Sequence, residues 1–469
     1  MPPVPTNRTR RPLVLAALML AMFVSAIEAT IVATALPSIV EKLGGLALYS
    51  WVFSGFLLMQ AMSIPIYGKL ADLFGRKRVF IIGSVIFLVG SSLCALAWSM
   101  MALVVFRLVQ GLGAGSIQSL ATTMTGDLYS REERGRVQAY VSSVWGISAI
   151  VGPFAGALIV QHASWSWIFW INLPFGIASI AMVVLFFHEE VQLTKASIDY
   201  AGAALMLTGL LAVMLAFTQS GRWGVAATLS LLALFAVSLW LFIGQERRAP
   251  DPVMHLDLWK TPVIAVANLA TLAAGIAMIG VISFMPIFIQ NVQGGSSLVA
   301  GAALCAMSVG WPLASVITGR VLTRVGLRLL CRVGGCTVLA GGVVIAAFIE
   351  HGPTAAAAGS FIMGAGLGIL NAVFIVSIQS SVAWSQRGVA IASNMLMRIL
   401  GNTLGAAVFG GVLNLALQHP LESTAASSAG LASGLHIVFW AVVVFAAVSA
   451  AACWFVPDFK LLDSKPSAK

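Results

Sequence analysis

Charged residues are scarce in this sequence. Asp, Glu, Lys and Arg make up 9% of the 469 residues and hydrophobic residues 59%, which gives a mean hydropathy of +0.98. Soluble domains carry roughly a quarter charged residues, so this composition excludes an ordinary soluble protein. Apolar stretches of about 20 residues, the length of a membrane-crossing helix, recur along the whole chain. The short alternating segments of a membrane β-barrel are missing. The sequence therefore predicts an all-α polytopic membrane protein.

Patterns that would indicate an enzyme, a cofactor or a metal are also missing. The five cysteines lie in or beside apolar stretches and form no CxxC pair, so neither a disulfide framework nor a metal site is expected. No GxxxxGK[ST] loop is present, which argues against ATP as the energy source. The longest predicted loops, 188–199, 245–261 and 416–433, are short. We expect no enzymatic activity and no cofactor.

Fourteen membrane spans are predicted. Their approximate bounds are 12–36, 49–70, 78–98, 100–126, 137–160, 166–187, 200–218, 226–244, 262–290, 298–319, 329–349, 354–383, 388–415 and 434–456. With the N-terminus in the cytoplasm, 22 of the 26 Lys and Arg residues fall on the cytoplasmic side, as the positive-inside rule requires. The net charge of +10 then reflects topology and not nucleic-acid binding. An even span number places both termini in the cytoplasm.

The sequence repeats itself weakly, at a spacing of about 250 residues, in the way that paired transporter halves do. GKLADLFGRKR (68–78) ends span 2 and GRVLTRVGLR (319–328) ends span 10. Three further pairs match: the glycine runs 111–115 and 364–368, Gly152 with Gly401, and Pro37 with Pro286, which we expect to end spans 1 and 9. We predict an N-terminal six-helix half (1–190), an inserted helix pair (191–261) and a C-terminal six-helix half (262–469).

The loop at 68–78 resembles the signature loop between spans 2 and 3 of the major facilitator superfamily. That resemblance implies a charge relay between an aspartate and an arginine of the loop and an acid at the inner end of span 4. The second copy of the loop has Thr323 in place of the aspartate. The residues expected to form this conformational switch are Gly68, Asp72, Gly75, Arg76 and Asp127.

Three more stretches carry the resemblance. FRLVQGLGAGSIQ (106–118) is similar to the span 4 motif, and GISAIVGPFAGALI (146–159) resembles the span 5 motif associated with antiporters. In the second stretch Gly152, Pro153 and Gly156 are expected to permit bending, with close helix packing as the alternative reading. WSWIFWINLPFG (165–176) and EATIVATALP (28–37) resemble the fourteen-span drug:proton antiporter branch. Many members of that branch carry aspartate where this chain has Glu28.

Glu28 is the only one of the 16 acidic residues that lies deep in a predicted span. A charge in mid-helix costs about 2.5–3.5 kcal/mol on insertion scales, so such a residue is a functional candidate by default. At a helical rise of about 1.5 Å per residue, Arg107 of span 4 lies at the same depth. We predict that Glu28 carries the coupling proton and that Arg107 holds it ionised. A purely structural ion pair is the alternative.

The family resemblance implies a substrate cavity lined by spans 1, 4, 9 and 12. The candidate residues are Gln118, Trp145, Phe284, Met285, Met307, Trp311, Asn371, Gln379 and Arg398, with ordinary helix packing as the alternative for each. Arg398 lies in mid-span without an assigned carboxylate, so backbone carbonyls, a wet cavity and a substrate all remain open as its partner. An apolar pocket with few polar groups suits lipophilic ligands of varied shape.

The sequence thus predicts a drug:proton antiporter that exports lipophilic small molecules by alternating access. Cationic, neutral and amphiphilic substrates all remain open. An exporter of one metabolite or lipid, or a transporter-like receptor that moves nothing, are the alternatives. We expect a monomer in the inner membrane of a bacterium, with small molecules, protons and the lipid bilayer as its partners.

Overall fold

The computed structural model describes residues 9–129, 131–189, 199–249, 252, 254–382, 387–417 and 424–457, and within these ranges some side chains, including those of Asp72 and Thr323, are not described. Helices dominate these ranges, and they contain no strand. The α-helices are α1 (Arg11–Leu43), α2 (Tyr49–Phe74), α3 (Arg76–Ala95), α4 (Met100–Leu128), α5 (Arg131–His162), α6 (Trp167–Trp170), α7 (Asn172–Phe186), α8 (Tyr200–Glu246), α9 (Pro262–Ile287), α10 (Ser297–Val325), α11 (Leu327–Phe348), α12 (Pro353–Ser381), α13 (Arg387–Leu417) and α14 (Thr424–Trp454).

The described residues contain 14 segments that are long and apolar enough to cross a membrane, so the predicted all-α polytopic fold is confirmed. Helices α6 and α7 together form one segment, Trp167–Phe186. Helix α8 contains two, Tyr200–Phe217 and Trp223–Glu246. Gly224, the second residue of the later segment, departs from helical geometry with a φ of 79°, a conformation that glycine adopts at little cost.

The prediction that two prolines end spans 1 and 9 is wrong. Helix α1 continues past Pro37 to Leu43, and Pro286 lies inside α9, which is followed by a π-helical turn over Phe288–Val292. A proline inside a helix removes one backbone hydrogen bond and strains the turn before it. Packing maintains the helix beyond that point in α1, where Ile39 is completely buried.

The chain forms two compact units, each built from three separate stretches of the sequence. The first consists of Met1–Val253, Ile282–Cys305 and Thr403–Val438, and the second of Met254–Val281, Ala306–Asn402 and Phe439–Lys469. Helices α1 to α7 pack together inside the first unit, while α11 and α12 pack extensively against each other in the second. The division into two six-helix halves and an inserted pair stays a prediction.

The turns at the two matching loops have the same backbone geometry. Gly75, between α2 and α3, has φ 88° and ψ 146°, and Gly326, between α10 and α11, has φ 85° and ψ 149°. A residue with a side chain is strained at a positive φ. The glycine spacing of the two loops therefore produces one shared turn, even though their charged residues differ.

Glycines also bring the helix backbones into contact in the same pattern in both units. In the first unit, a Cβ on Gly111 would collide with the carbonyl of Phe56 in α2, and one on Gly113 with the backbone of Phe87 in α3. In the second unit, a Cβ on Gly364 would collide with Met307 of α10 and one on Gly366 with Val338 of α11. Small residues permit this approach in membranes. The repeat is thus a repeat of packing, with α4 and α12 as the matching central helices.

We predict that a methyl group at these contacts destabilises the protein. Gly113→Ala should lower the free energy of unfolding by about 1–3 kcal/mol, the usual cost of overpacking, and Gly366→Ala should do the same. Gly126 of α4 has open space where its Cβ would lie, so Gly126→Ala is the matched control. The measurement is thermal unfolding of the purified protein in detergent. Equal midpoints for Gly113→Ala and Gly126→Ala would contradict the packing described here.

Candidate functional site

The centre of the candidate site is an ion pair between α1 and α4. Arg107 Nη1 donates to Glu28 Oε1 over 2.6 Å. Both residues have a relative exposure of 0%, so neither charge is hydrated from outside. The structure thus brings together the two residues that the sequence predicted to lie at the same depth in the membrane.

Arg107 has three further partners. Its Nε donates to the carbonyl oxygen of Val52 over 3.1 Å, and Nη1 also donates to Gln110 Oε1 over 2.7 Å. The guanidinium carbon lies 4.0 Å from the ring centre of Phe56, which is cation–π geometry. Val52 and Phe56 belong to α2, and Gln110 to the next turn of α4. The guanidinium is therefore held in place even without its carboxylate.

The second carboxylate oxygen of Glu28 is held from another helix. Asn172 Nδ2, at the start of α7, donates to Glu28 Oε2 over 2.7 Å and to Ser91 Oγ of α3 over 2.9 Å. Ser91 Oγ in turn donates to the carbonyl oxygen of Phe169 over 2.8 Å. Sequence reasoning missed Asn172, Ser91 and Gln110. Asn172 lies inside the quoted motif WSWIFWINLPFG, and it is the only amide there, which is the signal that was available.

The surroundings of Glu28 act on its charge in opposite directions. Burial disfavours the charged form of a carboxylate, whereas a nearby guanidinium and hydrogen-bond donors favour it. When Glu28 takes up a proton it loses its attraction to Arg107, whose other contacts remain. The residues that respond to protonation thus lie on four helices, α1, α3, α4 and α7, and a change of helix separation alters the balance.

The predicted switch lies at the other end of α4 from Arg107. Arg76, the first residue of α3, forms an ion pair with Asp127, and their side chains are 18% and 22% exposed. Gly75 makes the turn before Arg76, whereas Gly68 has open space beside it. The side chain of Asp72 lies outside the described residues. The structure therefore places two of the predicted relay residues in contact.

Glu189, a residue that sequence reasoning missed, binds the start of α3. Its Oε1 accepts from the backbone N of Arg76 and its Oε2 from that of Lys77, each over 2.9 Å. A carboxylate at a helix N-terminus satisfies unpaired N–H groups and complements the helix dipole. The end of span 6 is thereby attached to the loop between spans 2 and 3.

The antiporter-motif glycines form a tight contact between α5 and α1. A Cβ on Gly152 would collide with Thr30, and one on Gly156 would collide with Thr34 and lie 2.8 Å from the carbonyl oxygen of Ile31. Helix α5 runs without interruption through Pro153. Close packing therefore accounts for both glycines in this conformation, and bending at the motif stays a prediction.

The first unit also contains a junction at the end of the α1–α2 loop. Tyr49 Oη donates to the carbonyl oxygen of Ser283 in α9 over 2.6 Å. The Tyr49 ring lies 5.7 Å from that of Phe284, which lies 6.4 Å from that of Phe409 in α13. Further bonds join Gln290 to Thr34, Asn414 to Ala47 and Cys305 to Ile150. Ends of α9, α10 and α13 are thus tied to α1, α2 and α5.

The predicted cavity residues divide between the two units. Gln118, Trp145, Phe284 and Met285 belong to the first, and Met307, Trp311, Asn371, Gln379 and Arg398 to the second. Phe284 and Met285 are completely buried, Phe284 in the junction just described, while Trp145 is exposed. The structure does not gather these residues within either unit, so the cavity stays a prediction.

Comparison with known proteins agrees with this architecture. The family model of the Major Facilitator Superfamily matches residues 18–406. The chain belongs to the Major Facilitator Superfamily. It is therefore a multi-pass membrane transporter and not an enzyme, as the motifs predicted.

Two relatives from Bacillus subtilis are each 32% identical to this superfamily member. They are the multidrug transporter protein MdtP, with 87% of this chain and 76% of the relative aligned, and multidrug resistance protein 3, with 84% and 78% aligned. The fold also matches a solved bacterial homologue of the human lysosomal transporter Spinster. The TM-score is 0.68 at 17% identity, covering 95% of this chain and 96% of that one.

We predict that Asn172 is energetically coupled to Glu28. Asn172→Ala should lower the free energy of unfolding by about 1–3 kcal/mol, because it leaves a buried carboxylate oxygen without its donor. The loss should be smaller in a Glu28→Ala background, with a coupling of about 0.5–3 kcal/mol, as for other residues in contact. Denaturation of the four proteins in detergent measures this cycle.

Ser179 provides the matched control for this cycle. Its hydroxyl also joins α7 to α1, donating to the carbonyl oxygen of Ala17 over 2.7 Å, but it does not contact Glu28. Ser179→Ala and Glu28→Ala should therefore be additive. Additivity of Asn172→Ala with Glu28→Ala would show that the hydrogen bond contributes nothing.

Proposed function

We propose that this transporter exports lipophilic small molecules in exchange for protons, with Glu28 as the proton-carrying group. The observation that carries the proposal is the burial of Glu28 and Arg107 at 0% exposure. Removing one partner of a buried pair costs about 3–5 kcal/mol, because an uncompensated charge remains. Such a site persists in an apolar helix only at a cost, which a proton-coupled cycle explains.

Arg107 is proposed to set when Glu28 releases its proton. A guanidinium at 2.6 Å stabilises the carboxylate, and withdrawal of α1 from α4 would leave the carboxyl to take up a proton. Arg107 keeps its contacts with Val52, Gln110 and Phe56 through this change. The pair therefore couples a proton to the separation of two helices.

We propose that both termini are cytoplasmic and that the membrane is a bacterial inner membrane. The distribution of Lys and Arg supports this orientation. The junction around Tyr49 then lies at the external side, where it acts as a gate that opens to release substrate. The Arg76–Asp127 pair and the Glu189 contacts lie at the cytoplasmic side, where they act as a latch.

Export of drug-like molecules is supported by the relatives. The two Bacillus subtilis proteins are named as a multidrug transporter and a multidrug resistance protein, and a third relative, from Pseudozyma antarctica, is named as an efflux pump. Each aligns over more than four-fifths of this chain. We extend this export activity to the present chain as part of the proposal.

We predict that Glu28→Gln abolishes proton-driven transport while the protein still folds. Glutamine keeps the shape of the side chain and one acceptor oxygen but cannot exchange a proton at neutral pH. The measurement is movement of ethidium, Nile red and dansylundecanoic acid, a cationic, a neutral and an acidic probe, in proteoliposomes with an imposed pH gradient. The wild type should move at least one of them.

Glu41→Gln is the control, since Glu41 is an exposed acid of the same helix, and it should transport normally. Full gradient-driven transport by Glu28→Gln would refute the proton-carrying role. Binding of the probes by a wild type that moves none of them would instead favour a receptor.

We further predict that Asp127→Asn slows transport more than it weakens binding, because the Arg76–Asp127 pair stabilises one conformation and lies away from the predicted cavity. Probe binding in detergent and transport in proteoliposomes measure the two effects. Glu133→Gln, which weakens an exposed pair with Arg11 at 3.9 Å, should change neither, since exposed pairs contribute about 0–1 kcal/mol. A parallel loss of binding and transport in Asp127→Asn would contradict a latch.

A further inference from the structure

Arg398 is a cation in the middle of the membrane-crossing segment Val389–Leu415 of α13. Its side chain is half-buried. No carboxylate of the described residues lies within ion-pair distance of it. A charge at this depth is costly unless it faces a partner or a water-filled cavity. The partner of Arg398 therefore has to be sought among its neighbours in the second unit.

Neutral amides surround Arg398 on one face of its helix. Asn394 and Asn402 lie four residues before and after it, so the three side chains share that face. Asn394 Nδ2 donates to Asn268 Oδ1 over 3.1 Å and to Thr271 Oγ1 over 3.0 Å. This face of α13 is therefore held against α9 by polar contacts, none of which supplies a negative charge.

The two helices are also in close contact beside Arg398. A Cβ on Gly275 of α9 would lie 2.8 Å from the carbonyl oxygen of Arg398 and 3.2 Å from Asn402 Oδ1. That amide oxygen is buried and has no hydrogen-bond partner among the described residues. Buried polar atoms normally have partners. The hydrogen bonding of this face is therefore incomplete, and the group left over is an acceptor, so the case for a ligand rests on the charge of Arg398.

Among the described residues, the charge of Arg398 is also unbalanced. Glu28 is the one carboxylate deep in a described span, and Arg107 and Asn172 already bind its two oxygens at 2.6 and 2.7 Å. A guanidinium presents a planar set of donors that matches a carboxylate or phosphate. Both N–H groups of Asn394 already have acceptors, so Arg398 supplies the charged donors to such an anion.

We propose that Arg398, flanked by Asn394 and Asn402, binds the acidic head of an amphiphilic molecule, a carboxylate or phosphate joined to an apolar body. The inference rests on the proposed transport function. It names the class of substrate that the second unit of the transporter binds. The same chemistry occurs in a single-chain acid and in an anionic phospholipid of the bilayer.

The test compares an acid with its neutral analogue. Dansylundecanoic acid and its methyl ester are titrated into purified protein in neutral detergent at pH 8, where a carboxylic acid is ionised. The wild type should bind the acid about tenfold or more tightly than the ester, a difference of about 1.4 kcal/mol per factor of ten. Arg398→Gln should remove this preference and leave ester binding unchanged, and Arg398→Lys should retain part of it.

Unchanged ester binding shows that each variant is folded. Arg324→Gln is the matched control, because it removes one exposed positive charge of the same unit and should keep the preference. Equal affinity of the wild type for acid and ester, or equal loss of both in Arg398→Gln, would overturn the proposal.

A second arm identifies the source of the acid. Nanodiscs of phosphatidylcholine with and without phosphatidylglycerol are compared as the medium for the same titration. If phosphatidylglycerol weakens binding of the dansyl acid to the wild type but not to Arg398→Gln, the site belongs to a bilayer lipid. If phosphatidylglycerol has no effect, the site belongs to a free acidic amphiphile. These are binding measurements, so their result is valid even if the wild-type protein shows no proton-driven transport in proteoliposomes.

Discussion

A carboxylate inside a bilayer has to find its hydrogen-bond partners within the protein, because lipid hydrocarbon offers none. Glu28 meets this requirement with donors from two other helices, at 2.6 Å from Arg107 and 2.7 Å from Asn172. Those donors are in turn held by Gln110, Ser91 and the ring of Phe56. One acidic side chain therefore joins α1, α3, α4 and α7 in a single hydrogen-bond network.

Much of the fold was predictable from the sequence, because length and hydropathy define membrane spans. The depth of Glu28 and Arg107 was predictable too, since a helix converts residue number into distance. Asn172, Gln110 and Ser91 were not, because neutral polar residues are frequent in helices and nothing in the sequence indicates which face they occupy. Glu189 lies in a loop, where an acid is unremarkable until the start of α3 is seen beside it. The prediction that prolines end two of the spans failed because packing can maintain a helix beyond a proline.

The two units have matching glycine contacts but differ in how their intramembrane charges are paired. The first holds an ion pair that is closed to outside ions, with both residues at 0% exposure. The second holds a half-buried Arg398 among amides, whose neutral dipoles do not cancel its charge. Matching glycine contacts thus accompany two polar sites of opposite character, one occupied from within and one suited to an external anion.

The origin of the Glu28 partners has a consequence for biosynthesis. A ribosome makes the chain from its N-terminus, so α1 reaches the bilayer before α4 and α7 exist. During that interval the carboxyl group has neither Arg107 nor Asn172, and the neutral acid is the form that hydrocarbon tolerates. Arrival of α4 then allows the acid to ionise and ties the first span to the fourth. Correct assembly of the first helix is therefore completed only after the sixth span has been synthesised.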